Sequence, residues 1–441
     1  MKQKPMRILF LSSMPPTHSA GLGNDIRASL QARGHRVDMI SLYGDEKSDY
    51  TYLFTVRRSD ALMERLRRFL TRLGVRDRIR KIVRAVIPAK GGVTEANGIS
   101  IMYPDESRPD VSPETLLAAI PDKQYDAVIT CYWQGMLNTT SLRAVHDRLR
   151  CPVLMFSPDM APMTGGCYYF GRCERYKEQC GRCPGLNSSD PDDATHRNYL
   201  EKKENYAAMD VRFLGNTWMA EAAEASGIFK PGDVCNVGIV INENTFTPSN
   251  QLHARRRLGI PTQKTDVVLA RSLKAQRKGC NFVIDACREF LRRHPDRRDS
   301  FLLLSVGEEF LMHECRKADI PCKALGIVDR ETLIDAYRAS TCFMSPSIDD
   351  AGPSMVNQAM LCGTPVVCFN TGVAVDVVRD GETGFKSDSI DSASISDRLE
   401  RMLLSDEDTR AAMRLQCRET GEAHNSYEAF ATAVERIVAA R

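Results

Sequence analysis

Short apolar runs bounded by polar turns recur along the chain, and between them apolar positions return at the three- and four-residue spacing of helices. Arg7-Ile8-Leu9-Phe10-Leu11 reads as a first buried strand, Ile26 and Leu30 as one side of a helix ending near Arg33-Gly34, and His35-Arg36-Val37-Asp38-Met39-Ile40 as a second strand. Residues 125–130, 152–156 and 211–214 continue the series, and a helix opens at Asn216-Thr217. Between Lys230 and Pro248, Asn242, Glu243 and Asn244 break regular structure, which marks a crossover. The alternation then resumes. Strands are predicted at 267–270, 301–304, 342–344 and 366–369, and Gly326-Ile327-Val328 precedes one of the helices. Intervening helices carry Phe282, Ile284 and Phe290, then Leu333 and Tyr337, then Met355, Val356, Ala359 and Met360. Residues 427–438 form a last helical pattern. Repeated β-α alternation predicts an α/β protein of two doubly wound, Rossmann-like domains with parallel sheets.

Length fits this: 441 residues suffice for two or three domains. With 43% hydrophobic and 27% charged residues the composition is that of a soluble globular chain, and a net charge of +3 selects no partner, so charge must be read locally. The run Ile8-Leu9-Phe10-Leu11 is too short for a signal peptide and meets Pro15-Pro16, and no stretch nears the roughly 20 apolar residues of a membrane span. The expected location is therefore the cytoplasm, with the 15 cysteines mostly reduced.

The stretch with the most chemistry is TCFMSPSIDDAGPSMVNQAMLCGTPVVCFNTG, residues 341–372. The strand stops at Ser345-Pro346-Ser347, a loop holds Asp349 and Asp350, and Pro353 stands where a first helical residue is expected. A strand, a small-residue loop (Ala351-Gly352-Pro353-Ser354) and a helix N-terminus gather free N–H groups at the carboxyl edge of a parallel sheet, where a phosphate is favoured. The paired aspartates would repel a phosphate but can accept hydrogen bonds from hydroxyls on what it carries. Ser354 and Gln358, four residues apart, share a helix face. The bland alternative is an ordinary βα turn.

Two further stretches stand out. Residues 56–90 hold twelve Arg or Lys against three acids, with stripes through Leu62, Leu66, Phe69, Leu70 and Leu73 and through Ile79 and Val83. This basic amphipathic pair suits an anionic lipid surface, or is simply a charged solvated face. The loop at 159–187 carries Cys167, Cys173, Cys180 and Cys183, spaced by five, six and two residues. Four thiolates at that spacing suit a structural tetrahedral zinc; four free or paired thiols is the other reading. Gly21 and Gly23, between the first strand and helix, would let a backbone approach a bound group, or serve only a turn.

Residues 341–372 resemble the donor-sugar site of glycosyltransferase family 4, retaining enzymes of the GT-B fold. Aligned on Cys362-Gly363-Thr364-Pro365-Val366-Val367, the family's first carboxylate falls on Asp350 and its second on Gln358, a departure that bears on ribose binding more than on catalysis. The Cys167-to-Cys183 loop is similar to one in bacterial surface-polysaccharide members, many of which have His where Pro158 stands; this leaves Asp159 as the polar group at that strand end.

The resemblance implies two facing domains: 1–230 on the acceptor side, 231–424 binding the nucleotide sugar, and 425–441 a helix crossing back. It assigns Asp350 and Asp159 to catalysis or sugar contact. Arg271, Arg277 and Lys278 go to the donor diphosphate, and Gly326, Ile327 and Val328 to the base. Gly352, Pro353, Ser354 and Gln358 line the donor, and Gly21 and Gly23 face acceptor and phosphates. Two cations and a helix N-terminus can neutralise a leaving diphosphate, so no catalytic metal is expected. The implied reaction moves a hexosyl group from a UDP- or GDP-sugar to a glycan or polyprenyl-linked oligosaccharide, at the inner face of the cytoplasmic membrane. A sugar synthase or phosphorylase on small acceptors is the alternative. A zinc-dependent nucleic-acid binder is disfavoured, because no aromatic or RNP-like pattern accompanies the arginines.

Overall fold

The computed structural model describes residues 4–14, 21–44, 51–55, 94–96, 98–101, 105–133 and 135–440. The basic segment 56–90 lies outside the described residues. The chain divides into two compact units: Met1–Arg27, Gly34–Phe213 and Glu224–Asp233 form one; Ala28–Arg33, Leu214–Ala223 and Val234–Arg441 the other.

The amino-terminal half holds β1 (Arg7–Ser12), β2 (Arg36–Gly44), β3 (Thr51–Thr55), β4 (Thr94–Ala96), β5 (Ile99–Ile101), β6 (Ala127–Cys131), β7 (Val153–Phe156), β8 (Cys167–Tyr169), β9 (Val211–Gly215) and β10 (Val234–Asn236). Its helices are α1 (Leu22–Ala32), α2 (Pro113–Ala119), α3 (Thr139–Leu149), α4 (Ala194–Ala207) and α5 (Thr217–Ser226). A seven-stranded sheet runs β10-β9-β7-β6-β1-β2-β3. β1 pairs in parallel with both β2 and β6, which places the reversal of strand order between β1 and β6. Ile8, Leu9, Phe10 and Leu11 are completely buried, as a continuous apolar run in a sheet covered on both faces requires. A small antiparallel sheet, β4-β5-β8, takes up the start of the cysteine loop, with Tyr169 opposite Ser100.

The carboxyl-terminal half adds α6 (Gln251–Arg257), β11 (Asp266–Ser272), α7 (Cys280–Arg293), β12 (Phe301–Gly307), α8 (Phe310–Lys317), β13 (Cys322–Gly326), α9 (Arg330–Ala339), β14 (Cys342–Ser345), α10 (Ser354–Leu361), β15 (Val366–Phe369), α11 (Ala374–Val377), β16 (Gly384–Ser387), α12 (Ser392–Leu404), α13 (Glu407–Asn425) and α14 (Tyr427–Ala439). Its sheet runs β13-β12-β11-β14-β15-β16, with parallel pairing throughout. Strand order therefore reverses between β11 and β14, and in such sheets ligands bind beyond the carboxyl ends of the strands flanking that point. Val268, Ala270, Leu303, Met344 and Val367 meet Ile284, Phe290, Ile395 and Leu399 from α7 and α12 in one core. Helix starts follow capping chemistry: Asp329, Asp391, Asp406 and Ser426 each accept from a backbone N–H in the first turn of the helix that follows.

One detail differs from the sequence expectation: Pro353 flanks α10 as its cap rather than forming its first helical residue. The last helical pattern, 427–438, is α14, capped by Ser426 directly after the long α13 ends at Asn425.

Candidate functional site

The loops leaving β11 and β14 converge where the second sheet reverses its order. Arg271 stands exposed at the end of β11. A 3-10 turn at Gln276–Lys278 follows, and Gly279, at φ +66°, hands the chain to α7. A Cβ added at Gly279 would lie 1.9 Å from the carbonyl oxygen of Pro346, so only glycine lets this turn press against the end of β14. Ile348 donates its N–H to Arg277 O at 2.9 Å and ties the two loops together.

On that platform Asp350, 3% exposed, faces two cations. Lys278 Nζ hydrogen-bonds its Oδ2, and Arg277 Nη1 lies 3.5 Å from the same oxygen and donates to Asp349 O at 3.3 Å. Burial pushes the Lys278 ammonium below its ordinary value, while Asp350 opposes that shift. The site thus stores paired opposite charges, which can be redistributed when an anion arrives. α10 begins at Ser354, and α7 begins two residues after Lys278, so two helix amino termini add partial positive charge beside the cations.

Ser354 and Gln358 lie half-buried on α10. Gln358 is already engaged: the hydroxyl of Tyr337, from α9, donates to its Oε1 at 3.0 Å. Gly326 ends β13 at φ +74°, and beyond it Ile327 is 92% exposed, an apolar side chain in the open, followed by Val328. Gly372, at φ +59°, closes the site from the β15 side; a Cβ there would sit 2.4 Å from Asp350 O.

The structure therefore gathers Asp350, Arg277 and Lys278 in direct contact, with Gly352, Pro353 and Ser354 on the same turn. Asp159, Gly21 and Gly23 belong to the other unit. Asp159, 7% exposed, follows β7 and accepts from Ala161 N at 2.9 Å. Gly21, at φ +70°, opens α1 and accepts from Asp25 N at 2.7 Å, while Gly23 packs near Phe10.

The side-chain placement does not bear out the zinc expectation. Among the described residues no group of three or more His, Cys, Asp and Glu side chains is placed to hold a metal ion. Cys167 and Cys183 pack with Ile99, Cys173 and Leu186 in an apolar cluster, Cys180 accepts from Gly165 N at 3.3 Å, and burial pushes the Cys180 thiol up to about 12.

Some structural residues were hidden in the sequence. Lys202, in the charged run of α4, reads as solvated, yet it is 1% exposed and donates to Ala161 O and Thr164 O at 2.7 and 2.8 Å. Its ammonium lies 3.6 Å from buried Glu106, which accepts from Thr139 N and Oγ1. The pair fixes the loop after Asp159, and nothing in local spacing announced it. Nor is any helix among the described residues long and apolar enough to cross a membrane.

Known proteins resemble parts of this chain. Residues 250–421 match the family model described as Glycosyl transferases group 1. The D-inositol 3-phosphate glycosyltransferase of Acidothermus cellulolyticus is 30% identical over 220 residues, 47% of this chain and 48% of that protein. The chain spans about half the length of the curated relatives it matches. Among solved structures, sucrose-phosphate synthase of Thermosynechococcus elongatus superimposes with a TM-score of 0.65 at 15% identity, covering 99% of this chain and 98% of that one. HepE of Anabaena, in complex with UDP-glucose, gives 0.60 at 14% identity, covering 99% and 100%. Such likeness is one of fold, and the fold is GT-B.

Proposed function

We propose that this chain, whose residues 250–421 match the glycosyl transferases group 1 family model, moves a hexosyl group from a nucleotide diphosphate sugar to an acceptor hydroxyl with retention of anomeric configuration. The observation that carries the reading is Asp350 held between Lys278 and Arg277 where strand order reverses. The diphosphate would take Lys278, Arg277 and Arg271 as counter-charges, aided by the helix amino termini, which makes a catalytic metal unnecessary. Ile327 would cover the base beside the backbone of Gly326 and Val328. Released from full pairing, Asp350 would accept hydrogen bonds from the sugar hydroxyls and orient C1. In a front-face displacement the C1–O bond to the diphosphate breaks, the acceptor oxygen bonds to C1, and its proton passes to the leaving phosphate oxygen.

Residues 1–230, with Gly21, Gly23 and Asp159, would serve the acceptor. A glycan, free or polyprenyl-linked, is one reading of that acceptor, with the basic segment 56–90 drawing the enzyme to an anionic membrane. The matched curated relatives named as D-inositol 3-phosphate glycosyltransferases favour a second, a small phosphorylated polyol. Calorimetric titration with UDP-glucose, UDP-N-acetylglucosamine and GDP-mannose tests the donor reading. One should bind, and Asp350→Ala should lower kcat/KM about 100-fold. Full activity in that variant would remove Asp350 from the mechanism. Product analysis with inositol phosphate, glycan or free phosphate as acceptor separates transferase from phosphorylase.

A further inference from the structure

The turn that carries Asp350 is held by a residue distant in sequence. Asn216, 2% exposed, stands between β9 and α5. Its Oδ1 accepts from Met219 N at 3.0 Å, the ordinary work of a helix cap, while its Nδ2 donates to Ala351 O, the carbonyl next to Asp350. Thr217, the first residue of α5, donates its N–H to Asp376 Oδ2 at 3.0 Å and its hydroxyl to Asp376 Oδ1. Asp376 lies in α11, just after the Gly372 turn that abuts Asp350 O. The start of α5 thus grips the Asp350 turn with one side chain and the neighbouring segment with the next.

We infer that Asn216 is a positioning residue for the sugar half of the donor site. This rests on the donor reading above. The cap needs only an acceptor at position 216, and serine, threonine or aspartate would supply one equally well. Only an amide supplies the second, outward N–H that meets Ala351 O. The aspartates and the cations respond differently to its loss. Arg277 and Lys278 are placed by the 276–279 turn and by Ile348, whereas the Ala351 peptide that follows Asp350 is placed by Asn216. Removing the amide N–H therefore weakens recognition of the sugar and leaves recognition of the diphosphate intact.

Asn216→Ser is the discriminating variant, because it keeps a cap acceptor and removes the amide donor to Ala351; Asn216→Ala, which loses both, is the stability control. Each is titrated with the nucleotide sugar that the wild type binds best in the panel above and with the matching nucleoside diphosphate. The expected result for Asn216→Ser is a smaller loss of Tm than in Asn216→Ala, roughly tenfold weaker binding of the nucleotide sugar, and unchanged binding of the nucleoside diphosphate. Unchanged nucleotide-sugar affinity overturns the inference, and so does an equal loss for both ligands, which would mark a general structural role. If the wild type binds the nucleoside diphosphate but no tested sugar adds to or alters that affinity, the donor reading fails first and the inference with it. Faster amide exchange at Gly352 in Asn216→Ser, with α5 exchange unchanged, is the accompanying signature.

Discussion

Lys278 is asked to remain charged where burial resists charge, and the sign of that conflict can be worked out. Its pKa in the folded protein lies below the ordinary 10.5, with desolvation the first cause. On the donor reading, the cation is the form that meets a diphosphate, so donor affinity is present below the folded pKa and lost as pH rises through it, earlier than for an exposed lysine. In the same window the unfolded chain holds more protons than the folded one, so this group makes folding stability rise with pH. Titrations across the alkaline range should therefore show donor affinity falling while this residue's contribution to stability grows. Lys278→Arg should move the loss of affinity to higher pH, because a guanidinium stays protonated. Lys278→Ala should weaken donor binding about 10- to 100-fold at neutral pH, the usual worth of a charge-assisted contact.

At the scale of elements, the apolar pattern gave most of the alternation, because strands such as β1 and β11 are buried on both faces and so carry unbroken apolar runs. The turn proposed to hold the donor was legible as strand, loop and helix for the same reason: Asp350, Gly352 and Gln358 sit in one local stretch. What spacing could not reveal were contacts closed over long sequence distances, namely Asn216 with Ala351, Lys202 with Glu106, and Tyr337 with Gln358. The cysteine loop was not decided by its sequence, because ligand spacing is silent on whether thiols meet a cation or an apolar core. Gly279 is where local rule and tertiary contact agree. Its left-handed backbone and the 1.9 Å approach of a Cβ to Pro346 O mean that Gly279→Ala should destabilise folding by about 1–3 kcal/mol. It should also displace Lys278, so urea unfolding and donor titration should worsen together.

For the whole molecule, two buried charge arrangements do separate jobs. Glu106 with Lys202 holds a loop in the first half, and Lys202→Met should cost about 3–5 kcal/mol in urea melts by stranding the carboxylate, with Glu106→Gln in the same chain recovering part of it. On the donor reading, the charges around Asp350 would be lent to a ligand. Because those counter-charges are side chains and helix termini, dialysis against EDTA should leave donor affinity unchanged, and a loss that Mg²⁺ restores would count against the mechanism. Tyr337, whose phenolic proton is held on firmly by burial, keeps the Gln358 carbonyl occupied and leaves its NH₂ hydrogens as the atoms on offer. That amide never ionises in water. On the donor reading, a ribose at position 358 would meet hydrogens rather than a charged acceptor, and would do so at every pH.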